Sequence, residues 1–194
     1  MKELIKCFDN RPIVKLRRTN YIVNPLLDHH PETRYELVKD AVQELSKMTS
    51  FSKADKIVAE EDRGGYVAAI LAYKLKKSLA MVKWNPIDLE GQFVINFRNS
   101  YTHGKMYLYG VKPGDKVILV EDLIDSGGTI ISMIKLLRKA KVEILDVICL
   151  AEKQEANGSK RIEKETGIKI KSILKFTAKN KKSKVVEVKG KKLK

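Results

Sequence analysis

The segment Val117 to Thr129, VILVEDLIDSGGT, constrains this chain more than any other. It starts with four apolar residues, the composition of a short strand buried on both faces. Glu121 and Asp122 follow, where such a strand would leave its sheet, and then comes the small hydroxyl-bearing loop Asp125-Ser126-Gly127-Gly128-Thr129. Beyond the loop, Ile130, Ile131, Ile134 and Leu137 recur at helical spacing with basic residues between them. The order strand, acidic turn, glycine loop, helix sets a helix N-terminus and backbone N–H groups beside the loop, a ready seat for a phosphate. Two carboxylates would repel that phosphate unless they hold sugar hydroxyls or a hard cation. A ribose 5-phosphate carrying a metal-bound pyrophosphate satisfies all of these groups at once. The plainer alternative is an ordinary strand–turn–helix with a solvated acidic turn, and the fixed spacing of acidic pair and loop weighs against it. Two other phosphate signatures, G-x-x-x-x-G-K-[ST] and G-x-G-x-x-G, do not occur in the chain.

The stretch resembles the phosphoribosyl-pyrophosphate (PRPP) motif of the type I phosphoribosyltransferases. That motif has four apolar residues, an acidic pair, two apolar residues and a small-residue loop ending in Ser or Thr, and all thirteen positions fit. The resemblance implies an α/β fold, a mainly parallel doubly wound sheet flanked by helices with a small hood from the chain ends. It implies one domain over residues 1–194, with a core of about 32–155 and a hood of about 1–31 and 156–194. The 5′-phosphate and ribose of PRPP would lie on Glu121, Asp122, Asp125, Ser126, Gly127, Gly128 and Thr129, with Mg²⁺ held by Glu121 and Asp122. The implied reaction moves phosphoribosyl from PRPP to a ring nitrogen of a purine and releases pyrophosphate, through a transition state of oxocarbenium character. A homodimer or tetramer is a further expectation of the resemblance.

A second turn of the same kind lies upstream. Lys56 to Glu60 reads as a strand, Glu61-Asp62-Arg63-Gly64-Gly65-Tyr66 as a turn, and a helix through Ala68, Ile70, Leu71 and Tyr73 follows. In a doubly wound sheet such turns gather at one carboxyl edge, where ligands bind. Arg63 with the amides of Gly64 and Gly65 suits a second anion, and in the family this is the pyrophosphate loop. Arg-Gly-Gly-Tyr is similar to the Lys-Gly-Gly-Tyr of hypoxanthine-guanine enzymes, whereas Glu-x-Arg-Gly is similar to adenine enzymes. After a strand from Leu79 to Trp84, the segment Asn85 to Tyr109 is long, with a hairpin expected from Gln92–Phe97 and Lys105–Leu108. Its length suits an active-site lid that excludes water, and Ser100-Tyr101 resembles the lid of 6-oxopurine enzymes.

Two residues bear on the base. An apolar strand from Val142 to Leu150 leads to Lys153. In 6-oxopurine enzymes a lysine at this place donates to the purine carbonyl, and an ammonium fits a carbonyl but not adenine's exocyclic amine. Asp125 resembles the loop aspartate that hypoxanthine-guanine enzymes hold near the imidazole nitrogen as a general base, where adenine enzymes have a small residue. A 6-oxopurine, hypoxanthine or guanine, is therefore favoured, with adenine as the alternative. An orotate enzyme is disfavoured, because Thr102-His103-Gly104 matches only part of its Lys-x-His-Gly lid signature. A PRPP-sensing regulator without catalysis remains as a different class.

The ends of the chain read more plainly. Glu3 to Phe8 suits a short helix, Arg11 to Val23 an extended run, Asp28 to Pro31 a turn, and Glu32 to Met48 an amphipathic helix. His29 and His30 lack further His or Cys at ligand spacing, so they read as loop residues. Ser159 to Thr166 forms a helix stopped by Gly167, and Lys169–Phe176 with Val185–Val188 form a last pair of strands. The net charge of +15 is concentrated in the lysine-rich end. From Lys179 onward no aromatic residue is interleaved through its lysines to stack on bases, so nucleic-acid binding is disfavoured. No run is long enough to span a membrane and no leader is evident, which predicts a cytoplasmic protein. Of the two cysteines, Cys149 sits in an apolar run and reads as a buried thiol.

Overall fold

The computed structural model describes residues 1–16, 19–87, 89–98, 103–179 and 181–193. The chain opens with helix α1 (Lys2–Phe8), then strands β1 (Ile13–Leu16) and β2 (Thr19–Ile22), then helix α2 (Tyr35–Leu45). The run expected to be extended is folded back on itself, with Ile13 opposite Ile22 in an antiparallel pair. There follow β3 (Lys56–Glu60), α3 (Arg63–Leu75), β4 (Ser78–Lys83), β5 (Phe93–Arg98), β6 (His103–Leu108), β7 (Lys116–Ile124) and α4 (Gly128–Lys139). The chain ends with β8 (Glu143–Lys153), a 3₁₀ turn (Gln154–Ala156), α5 (Gly158–Thr166), β9 (Lys171–Thr177), β10 (Lys184–Val188) and β11 (Lys191–Lys192).

Nine strands form one sheet in the order β11-β10-β9-β8-β7-β3-β4-β6-β5. The five central strands, β9, β8, β7, β3 and β4, run parallel, and the pairs at both margins are antiparallel. Alternation along the strands explains why helices cover both faces. Ile57, Ala59, Ile118, Val120, Ile148 and Leu150 pack with α1, α2 and α3, while Val58, Val117, Leu119, Val147 and Cys149 pack with α4 and α5. Strands β3, β7 and β8 thus bury both of their faces, which is why Ile57–Ala59, Val117–Val120 and Val147–Ala151 are continuous apolar runs. This is the doubly wound α/β architecture expected from the motif.

Strand β7 does not end at the acidic pair. It runs on to Ile124, with Glu121 opposite Cys149 and Ile124 opposite Glu152. The reason is that β8 continues to Lys153 and keeps offering a ladder, while β3 pairs with β7 only as far as Val58–Leu119 before the chain turns into α3. Glu121 and Asp122 therefore sit on a strand that is supported from one side. On the other side it faces the turn after β3.

The two chain ends meet, as expected of a hood. Asn10 N–H donates to the Ser183 carbonyl, and Ser183 N–H to that of Arg11, both at 2.8 Å. The Asn20 side chain donates to the Ala178 carbonyl at 2.7 Å. Strands β9 to β11, however, extend the main sheet, so the elements of residues 1–31 and 156–194 that lie outside it are α1, the β1–β2 hairpin and α5. Among the described residues no helix is long and apolar enough to cross a membrane. Cys7 and Cys149 are both buried and free.

Candidate active site

Three carboxylates converge at the carboxyl edge of β3 and β7. One oxygen each of Glu60, Glu121 and Asp122 lies within 4.8 Å of the others, and all three residues are buried. Glu60 is held in place by N–H donors. Its Oε1 accepts from Gly64 at 3.1 Å, and its Oε2 accepts from Asp62 and from the Trp84 indole, both at 3.1 Å. Burial, and next the charge of Asp122, push the Glu60 carboxyl up to about 7. The same two causes, in the same order, raise Glu121 well above the usual carboxylate range. Glu121 Oε2 and Asp122 Oδ2 are buried and have no hydrogen-bond partner among the described residues. An all-oxygen, anionic set with two unused oxygens is what a hard divalent cation prefers, so these residues fit Mg²⁺. Glu60 was not among the residues singled out from sequence. The signal was available, since the last residue of a strand over 56–60 must share the edge of Glu121.

The glycine loop lies against this cluster. Asp125, Ser126, Gly127, Gly128 and Thr129 line a hollow of about 100 Å³ together with Glu60, Glu121, Asp122 and Arg63. Gly127 has φ 79°, the left-handed turn that starts α4, and no side chain caps that helix. A Cβ on Gly127 would come within 2.9 Å of the Gly158 carbonyl, and one on Gly158 within 2.1 Å of the Asp125 carbonyl. The start of α5 is therefore pressed onto the loop, and glycine at both contacts permits it. Gly158, expected just before a helix over 159–166, is the first residue of that helix.

Arg63-Gly64-Gly65 forms the first turn of α3 and not an open loop. The Gly64 amide is given to Glu60 and that of Gly65 to the Asp62 carbonyl at 3.2 Å, so neither is left for an anion in this conformation. Their small size has a packing reason. A Cβ would lie 3.0 Å from Glu121 Oε1 at Gly64, and 2.7 Å from the Glu60 carbonyl oxygen at Gly65. The Arg63 guanidinium faces the hollow, 3.9 Å from Asp122 and 3.9 Å from Asp28. It also donates to the Tyr21 hydroxyl and stacks over that ring, 5.4 Å from its centroid. Burial works against its charge, but Asp122, Tyr21 and Asp28 outweigh it and hold Arg63 firmly protonated.

The two residues expected to read the base are brought together. Lys153 Nζ lies 3.4 Å from Asp125 Oδ1, and donates to Thr19 Oγ1 at 2.8 Å and to the Asn20 carbonyl at 2.6 Å. Asp125 Oδ2 is buried without a hydrogen-bond partner among the described residues. These side chains, with Ser126, Glu155 and Lys179, border a second cavity of about 560 Å³, within the range of small-molecule sites. Asp125 and Ser126 line both spaces. Thr19, Asn20, Tyr21 and Glu155 were not foreseen, and only the fold brings the hairpin here. Ser100 and Tyr101, the expected lid residues, lie outside the described residues, although the flanking strands β5 and β6 pair as expected.

Residues 32–185 match the phosphoribosyl transferase domain family. Among curated relatives, the hypoxanthine/guanine phosphoribosyltransferase of Methanocaldococcus infernus is 34% identical over 175 residues, covering 90% of this chain and 92% of the relative. The enzyme of the same name from Methanococcus vannielii is 31% identical over 188 residues, covering 96% and 100%. Among solved structures, adenine phosphoribosyltransferase from Thermoanaerobacter pseudethanolicus superposes with a TM-score of 0.74 at 24% identity, covering 91% of this chain and 100% of the other. The Giardia lamblia adenine enzyme, complexed with 9-deazaadenine, gives 0.72 at 17% identity, covering 85% and 93%. At these identities the structural likeness speaks for the fold alone.

Proposed function

The chain belongs to the phosphoribosyltransferase family, and from that premise we propose that it transfers phosphoribosyl from PRPP to a 6-oxopurine, yielding the nucleoside monophosphate and pyrophosphate. One observation supports this most. Asp125 stands where two spaces meet, one lined by acidic residues and the glycine loop, the other by Lys153 and the hairpin. A sugar phosphate in the first and a base in the second would put the bond being made beside Asp125. Ser126, Gly127, Gly128 and Thr129 would receive the 5′-phosphate at the start of α4. Glu121 and Asp122 would take the ribose hydroxyls, and Arg63 the pyrophosphate. Glu121, Asp122 and the neighbouring Glu60 would hold Mg²⁺, which when bound offsets charge on the leaving pyrophosphate. Asp125 would accept the imidazole proton of the base.

Lys153 carries the choice of base. Its ammonium already serves Thr19, Asn20 and Asp125, so a purine carbonyl must share or displace one of these acceptors. A carbonyl can do so, whereas adenine's amine would set donor against donor. Adenine transfer is the second reading, kept because Glu61 to Gly64 has the adenine-type pattern. In this reading the chain is one domain that works in the cytoplasm as a homodimer or tetramer in purine salvage.

Purified protein with PRPP, Mg²⁺ and each of hypoxanthine, guanine, xanthine, adenine and orotate tests it directly. Nucleotide from hypoxanthine or guanine is expected. If no nucleotide forms while PRPP still binds, transfer is refuted and a PRPP sensor takes its place.

A further inference from the structure

Glu155 lies two residues beyond Lys153, in the 3₁₀ turn that follows β8, and borders the same cavity as Lys153 and Asp125. Its Oε1 accepts the Ala178 N–H at 2.7 Å, which fixes the carboxyl group. Its Oε2 is buried and has no hydrogen-bond partner among the described residues. A buried carboxylate oxygen without a donor is costly, and such groups in native structures await a ligand, a water or an ion. The end of β8 and the turn after it thus bring to one cavity the Lys153 ammonium donor and a Glu155 carboxylate oxygen that lacks its donor.

Resting on the purine-transfer reading, we infer that Glu155 is a specificity-determining residue that selects guanine by accepting its N1–H and exocyclic amine. Guanine carries O6, N1–H and the C2 amine in sequence along one edge. With O6 on Lys153, the next donors along that edge fall to the next acceptor along the turn. Hypoxanthine offers N1–H but no amine. Xanthine puts a carbonyl oxygen where the amine would be, facing the carboxylate, and adenine presents the N1 lone pair to it. A site built to hydrogen-bond a substrate group rejects analogues that lack it, because its own polar atom is left unpaired. The expected order is guanine, then hypoxanthine, with xanthine and adenine far behind. A hydrogen bond to a charged group corresponds to about tenfold to a hundredfold between guanine and hypoxanthine.

Glu155→Gln separates reading from support. The amide oxygen still accepts from Ala178, so the thermal midpoint should stay put, while the other arm becomes a donor. With full-length protein, PRPP and Mg²⁺, kcat/KM for guanine should fall at least tenfold and the guanine-to-hypoxanthine ratio should approach one. Xanthine should gain, and the Kd for PRPP by calorimetry should not change. An unchanged ratio in a folded variant overturns the inference. If wild type transfers to no base, the transfer reading fails on its own. GMP against IMP affinity, measured by calorimetry on both proteins, then decides the role of Glu155. Tighter GMP binding that is lost in Glu155→Gln supports it, and equal affinities refute it.

Discussion

Replacing Gly158 by alanine should break the geometry of the loop from a distance. The added Cβ would stand 2.1 Å from the Asp125 carbonyl oxygen and 2.7 Å from Ile124 Cγ2, where approaches under 3.0 Å do not occur. The obstacle is backbone, so the loop and α5 must part by roughly 0.9 Å. Two effects compete. Alanine in a helix is favoured over glycine by about 0.5–1 kcal/mol, and overpacking costs about 1–3 kcal/mol. The clash wins, and for a chain of this size the net loss corresponds to a fall in Tm of roughly 2–8 °C. Activity should suffer more than stability, because a shift near 1 Å at reacting groups costs about a hundredfold in rate. The assays are thermal unfolding by circular dichroism and steady-state transfer to guanine and hypoxanthine. An unchanged or raised Tm, with kcat within threefold of wild type, would refute the idea that α5 seats Asp125.

Other substitutions probe single contacts. Asp125→Asn should cut kcat by about a hundredfold or more, as loss of a general base does, and leave the Kd for PRPP within a few fold. A preserved kcat removes Asp125 from that role. Lys153→Ala should lower kcat/KM for 6-oxopurines at least tenfold, as a buried carbonyl without its donor implies, and spare adenine. It should also lower Tm, since the Asn20 carbonyl and Thr19 hydroxyl lose the same ammonium; an equal loss for adenine would reduce Lys153 to a strut. Burial pushes the Cys7 thiol up to about 12 and raises Cys149 as well. At pH 8 both should be protonated and resist iodoacetamide until the protein unfolds, and fast labelling of either in the native state would contradict their burial.

The parts of the molecule that the sequence announced are those where chemistry and local pattern coincide. A run such as Val117-Ile118-Leu119-Val120 calls for cover on both faces, which the helices of a doubly wound sheet provide. That Asp125 and Lys153 share one edge was legible because each stands at the end of an apolar strand, and the parallel order of β7 beside β8 brings those ends together. The error over the acidic pair has the same root. Local composition marks where apolar residues stop, but a strand ends where its neighbour stops offering hydrogen bonds, and here the neighbour continues to Lys153. Glu60 and the two glycines after Arg63 show a further limit. Pattern identified a turn suited to an anion, yet the buried Glu60 carboxylate takes the Gly64 amide first.

The least legible element is the hairpin that touches both Lys153 and Arg63. Thr19, Asn20 and Tyr21 carry no motif, yet the first two hold Lys153 and the third holds Arg63. Three consecutive residues thus touch the lysine assigned to the purine and the arginine assigned to the pyrophosphate. The hairpin reaches that position because Asn20 bonds the Ala178 carbonyl and because residues 10–13 pair with 181–183, across more than 150 positions of sequence. No window of local periodicity contains such a contact. On the proposed reading, the hairpin would yield some of its hold on Lys153 when a 6-oxopurine binds. The chain ends would then take part in base choice alongside the motif at Val117 to Thr129.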